Sequence, residues 1–154
     1  MYYKLIRNNQ VDKAVYGKLC RVTTYFNKRT GTTCERLLPL CDTLENAEFL
    51  VPPLIYKIAV TMSPKFGRLL PVLQQVPNRS GIRFIGVPEN FNFWGERRTR
   101  ETYRCDEVAS QSEGFERDKG CILVSRADEQ SLTARFLAEQ TAREETRLEI
   151  VNNF

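Results

Sequence analysis

Three guanidinium groups, Arg97, Arg98 and Arg100, follow directly on Phe91, Phe93 and Trp94. Guanidinium groups neutralise phosphates, and rings beside them can stack on bases, so this interleaving in a loop suits nucleic acid, with Trp94 or Phe93 stacking or packing. A charged loop anchored by a Trp has the same composition in proteins that bind no nucleic acid. A second basic group, Lys28-Arg29, falls in the turn Asn27 to Gly31, supported by Lys4, Arg7, Lys13, Lys18, Arg21 and Arg36. If the first two elements pair, several of these cations share a face that can meet phosphates. With Arg79 and Arg83 added, the candidates for binding nucleic acid are Lys28, Arg29, Arg79, Arg83, Trp94, Arg97, Arg98 and Arg100.

Catalysis has less to work with. The chain has no His, which removes Ser-His-Asp and Cys-His relays, His-ligated zinc and an imidazole pH switch. A general base would have to be a carboxylate, and no paired Asp or Glu stands beside an obvious nucleophile. Ser63, Ser80 and the cysteines sit in no GxSxG-like setting, and neither a P-loop nor a GxGxxG stretch occurs. The five cysteines, at 20, 34, 41, 105 and 121, form no CxxC pair, so no zinc site is read from them. Their odd number favours reduced thiols, mostly buried. The expectation is a non-enzymatic protein with no catalytic residues, cofactor or metal.

The 154 residues suit one globular domain, and 42% apolar residues are enough for a core. The net charge of +4 divides unevenly: residues 1–100 hold 16 Lys or Arg against 7 Asp or Glu, and residues 101–154 hold 7 against 12. Such asymmetry points either to a polyanionic partner for the basic part or to attraction between the two parts or neighbouring subunits. The longest apolar stretch, Phe49 to Met62, is too short for a bilayer and is interrupted by Pro52, Pro53 and Lys57. The N-terminal residues lack the h-region of a secretory signal. A soluble protein is expected, cytoplasmic and nucleoid-associated or in a virion, with no membrane partner.

The elements that must position the cations follow from patterning. Tyr2 to Arg7 and Lys18 to Phe26 read as strands, and Thr32 to Leu40 as a strand or a short helix. Asp42 or Thr43 can cap a helix over LENAEFL that stops near Leu50 before the paired prolines. Ile55 to Thr61 then reads as a strand, Ser63-Pro64 as a helix opening followed by Phe66, Leu69, Leu70 and Leu73, and Ile82 to Val87 as a strand. Tyr103 to Ala109 and Cys121 to Ser125 complete a hairpin with a long connection.

From Asp128 to about Asn152 there is no Gly or Pro, and good helix formers dominate. This predicts a long C-terminal helix with an apolar patch at each end. Leu148, Ile150, Val151 and Phe154 form the distal patch and are the candidate partner-docking residues; the other reading folds that end back on its own domain. The fold class expected is α+β: a small mixed or antiparallel sheet packed with two or three short helices, plus the long C-terminal helix. The division expected is a basic body over residues 1–125 and a helical arm over residues 126–154.

Three stretches carry a family resemblance: YYKLIRNNQVDKAVYGK at 2–18, TLENAEFL at 43–50 and NRSGIRFIGVPE at 78–89. They resemble the first strand, second-helix entry and last-strand stretch of HU/IHF-like DNA-binding proteins of Bacteroidota and their phages. The resemblance implies an HU-related α+β core, dimeric and DNA-associated. The interval from Met62 to Asn78 is too short for that family's DNA-embracing arm, so minor-groove bending is not implied. Two functions follow: a nucleic-acid-binding protein, or a structural subunit of a virion, phage neck or ribonucleoprotein with the C-terminal helix as docking arm. The partners are correspondingly nucleic acid, or a protein or second copy of the chain.

Overall fold

A computed structural model describes residues 1–11, 14–87 and 120–154. Its strands are β1 (Tyr2–Val11), β2 (Ala14–Asn27), β3 (Thr32–Asn46), β4 (Ile55–Ser63), β5 (Arg68–Leu73), β6 (Phe84–Gly86), β7 (Ile122–Val124) and β8 (Arg147–Asn152). One α-helix, α1 (Arg126–Thr141), and one 3-10 turn (Ala47–Phe49) accompany them. The sheet order is β5-β4-β8-β1-β2-β3-β7-β6. The two ends approach through a bridge between Val72 and Arg83 and a bond from Leu73 N to Ile82 O, giving a nearly closed barrel. The expected α+β architecture with several helices is therefore overturned: among the described residues this is a barrel-like sheet with a single helix.

Each departure has a local cause. The helix expected over LENAEFL is the end of β3 and the 3-10 turn: Asn46 accepts the Glu48 N–H through Oδ1, and the chain then extends toward Pro52 and Pro53. The helix expected after Ser63-Pro64 is a hairpin. Gly67 sits at φ 66° and donates to Ser63 O, turning the chain so that Phe66 and the leucines enter a turn and β5. Pro71, awkward in a helix, lies in β5 opposite Val60.

The C-terminal helix begins as expected. Ser125 Oγ accepts Asp128 N and donates to Asp128 Oδ2, closing the first turn. It stops at Thr141, because Arg143 takes a left-handed φ of 58° while Arg143 N and Glu144 N return to Gln140 O and Glu139 O. The chain then re-enters the sheet as β8, parallel to β1 and antiparallel to β4. Residues 126–154 thus contribute a strand to the middle of the sheet of the body, where a detached arm was expected.

The main core lies on the face carrying Tyr3, Leu5, Leu19, Ile58, Phe84, Leu148 and Ile150, closed by Leu132 and Phe136 of α1. The Phe136 ring meets Tyr3 edge-on at 5.1 Å. A smaller cluster, including Tyr16, Leu44, Ile85 and Leu123, packs on the opposite face. Where β8 ends short of Val60, the Gln140 side chain substitutes for a strand, accepting Val60 N at 2.8 Å and donating to Val60 O at 3.2 Å. Among the described residues no helix is long and apolar enough to cross a membrane.

Candidate nucleic-acid interface

β2 and β3 are longer than their neighbours. β1 pairs with β2 only as far as Val22, whereas β2 and β3 stay paired from Thr23–Arg36 to Asn27–Thr32. This five-rung ribbon extends about 15 Å past β1 at strand rise. Its turn is fixed by Asn27, whose Oδ1 accepts Arg29 N and whose carbonyl accepts Gly31 N, with Gly31 at φ 67°. Lys28 and Arg29 occupy the tip, both exposed.

Alternation along a two-stranded ribbon puts Tyr25, Arg36 and Leu38 on one face and Phe26, Leu37 and Glu35 on the other. Apolar side chains are open on both: Phe26 is 62% exposed, Leu38 55%, Tyr25 43% and Leu37 43%. The Arg36 guanidinium lies over the Tyr25 ring, 5.1 Å from its centroid. Glu35 is the ribbon's acid, and Lys4 Nζ donates to it at 2.6 Å; this bond holds the Lys4 ammonium above its ordinary value. Lys28, Arg29 and Arg36 therefore leave the ribbon net positive. Sequence reasoning placed Arg36 among the supporting cations but missed Tyr25, Phe26, Leu37 and Leu38; the adjacent apolar pairs 25–26 and 37–38, on strands joined by a tight turn, were the available signal.

The other candidate residues fall elsewhere. Arg79 donates to the carbonyls of Phe49 and Leu50, and Arg83 to those of Thr61 and Leu70 and to Thr61 Oγ1, so both tie together chain segments other than the ribbon. Trp94, Arg97, Arg98 and Arg100 lie outside the described residues, as do the expected Tyr103–Ala109 strand and Cys105. Of the docking set, Leu148 and Ile150 are buried in β8, Val151 is half-buried, and Phe154 is exposed. A patch built on Leu148 and Ile150 is ruled out because strand periodicity turns them into the core.

The buried charged side chains Arg7, Glu45, Glu129 and Glu139 are occupied structurally. Arg7 donates through Nε and Nη2 to Glu45 at 2.9 and 2.8 Å, through Nη2 to Val51 O at 2.9 Å and through Nη1 to Asn152 Oδ1 at 3.1 Å. Glu129 accepts Gly86 N at 2.9 Å and Arg68 Nη2 at 2.7 Å. Glu139 accepts the hydroxyls of Tyr3 and Thr146. Cys20, Cys34, Cys41 and Cys121 are free thiols; burial, with Asp128 and Asp42 nearby, pushes Cys41 up to about 12, far from a thiolate. Among the described residues no group of three or more Cys, Asp or Glu is gathered to hold a metal ion. No family model matches the chain, and the comparisons with curated proteins and with solved structures likewise return no match.

Proposed function

We propose that this is a non-enzymatic nucleic-acid-binding protein whose contact element is the β2–β3 ribbon. The observation that carries the reading is the exposed Lys28-Arg29 tip on an antiparallel ribbon that stands clear of the barrel. Such a ribbon is narrow enough to follow a groove or a strand, and its cations and threonines are the groups that bind phosphate oxygens. The rigid barrel holds the ribbon, and Asn27 and Gly31 set the direction of the tip. The resemblance to HU/IHF-like proteins supplies DNA as the polymer, with a nucleoid or a virion as the setting, although this barrel is not the α+β core that the resemblance implies.

The test is fluorescence anisotropy at low salt with labelled duplex DNA, single-stranded DNA and RNA, comparing the wild type with Lys28→Ala and Arg29→Ala. Each substitution should weaken binding across sequences and reduce the log–log salt slope by about 1. No binding to any of the three polymers by the wild type rejects the reading.

One observation favours a second reading, a structural subunit of a larger assembly. Tyr25 and Phe26 expose apolar surface on opposite faces of the ribbon, and Leu37 and Leu38 do so at its base, as an element sandwiched between neighbours would. Light scattering at high concentration separates the two: a stable, nucleic-acid-free oligomer supports the subunit.

A further inference from the structure

We infer that the ribbon takes single-stranded nucleic acid in preference to a duplex, with Phe26 as the stacking platform for a base. The inference rests on the proposed nucleic-acid function and names the polymer class for the same site.

Charge alone is too weak to hold a duplex here. The ribbon offers three cations, Lys28, Arg29 and Arg36, and Arg36 is already seated over Tyr25. Proteins that bind a duplex firmly through its backbone neutralise about 6–10 phosphates. The remaining affinity has to come from the aromatic surface. Phe26 is 62% exposed, lies one residue from Lys28 across Asn27, and on its own face has Thr24, Thr33 and Glu35 as ribbon neighbours, the Glu35 carboxylate being held by Lys4. A base placed on that ring sits beside the cation that meets its phosphate. In a duplex the base faces are covered by their neighbours, so the ring would first have to unstack a step. In a single strand they are open, and a ring can receive any base because every base has a π-face. Tyr25, braced by Arg36 on the other face, gives a second ring on the same ribbon. The occupant is thus fixed by two features together: net positive charge, which selects a polyanion, and an open ring, which selects unpaired bases.

The experiment uses the full chain with fluorescein-labelled oligothymidylate and a labelled duplex of equal length, in matched salt. Oligothymidylate is expected to bind more tightly than the duplex, with a log–log salt slope of about −2. Phe26→Ala should weaken oligothymidylate binding about 5- to 150-fold while leaving the salt slope unchanged; Phe26→Trp should retain it. Lys28→Ala should instead lower the slope. Equal or tighter duplex binding, or an oligothymidylate affinity indifferent to Phe26→Ala, overturns the inference while the nucleic-acid function stands. Absence of binding to both probes overturns both.

Discussion

Replacing Arg7 with Met should be among the most damaging single substitutions this barrel can receive. Arg7 is fully buried, and the Glu45 carboxylate facing it is 1% exposed. The guanidinium spends four contacts on three other places in the chain: both oxygens of Glu45 in β3, the Val51 carbonyl after the 3-10 turn, and Asn152 at the end of β8. The residue opposite it on β2 is Gly17, where a Cβ would lie 2.8 Å from both Ile6 O and Thr43 Oγ1 and 3.4 Å from Arg7 Cα. Arg7→Met removes every donor and leaves a buried carboxylate and a buried carbonyl unpartnered, at a cost of about 3–5 kcal/mol. Glu45→Leu, which strands the cation, should cost a similar amount. The double variant buries no charge; the unpartnered Val51 carbonyl and Asn152 amide oxygen remain, so it should lose only about 1–3 kcal/mol. Urea denaturation reads all three through the midpoint at constant m-value, and thermal melts of the single variants should fall by about 6–20 °C for a chain of this size. The signature is non-additivity: the double variant is more stable than either single one. Single variants that each cost under about 1 kcal/mol, or a double variant that loses the sum, would refute a buried, mutually dependent pair.

Two further outcomes follow from the same barrel. Burial and the bond to Glu149 push the Tyr2 hydroxyl up to about 12, burial and Glu139 push Tyr3 up further, and burial raises Cys41 to about 12, from ordinary values of 10.0 for tyrosine and 9.0 for cysteine. The fold therefore favours the protonated forms: their contribution is complete below about pH 9 and is lost as pH rises toward 12. The urea midpoint should fall across that window, and Tyr2→Phe with Tyr3→Phe should flatten the fall; an unchanged pH profile in the double variant contradicts the assignment. Deleting residues after Arg147 should abolish cooperative unfolding and not merely weaken assembly, because β8 joins β1 to β4 and buries Leu148 and Ile150. A truncated chain with a wild-type circular dichroism spectrum and a sharp urea transition would show that β8 is dispensable.

The strands nearest the N-terminus were legible because their code is local. Tyr3, Leu5, Leu19 and the turn at Asn27 to Gly31 follow period-two patterning and turn chemistry, and the structure extends those strands without relocating them. The C-terminal segment was misread because its propensity is honest about the first half only. Residues 126–141 are helical, but the helix ends at Thr141 because Arg143, just past the Ala142 cap, takes the left-handed region, which costs a non-glycine residue about 1–2 kcal/mol and carries no sequence mark. What holds it there is tertiary: Leu148 and Ile150 gain burial only if the chain turns back. Their period of two was present in the sequence; the run of good helix formers before them outvoted it.

The site divides along a similar line. A cation's composition says that it can meet a phosphate, and says nothing about whether a carbonyl already holds it. Lys28 and Arg29 were legible because a tight turn leaves its central side chains nowhere to go but solvent. Arg79 and Arg83 have the same chemistry but follow positions where the chain crosses other strands, and there the open carbonyls of Phe49, Thr61 and Leu70 take them. The apolar pairs at 25–26 and 37–38 were ambiguous for a different reason. Two adjacent apolar residues on a strand must face opposite ways, so the pattern describes equally a strand buried on both sides and a ribbon exposed on both. Only the length of the neighbours decides between them. β1 pairs no further than Val22, and that short strand turns Tyr25 and Phe26 from core residues into an open, cation-tipped surface.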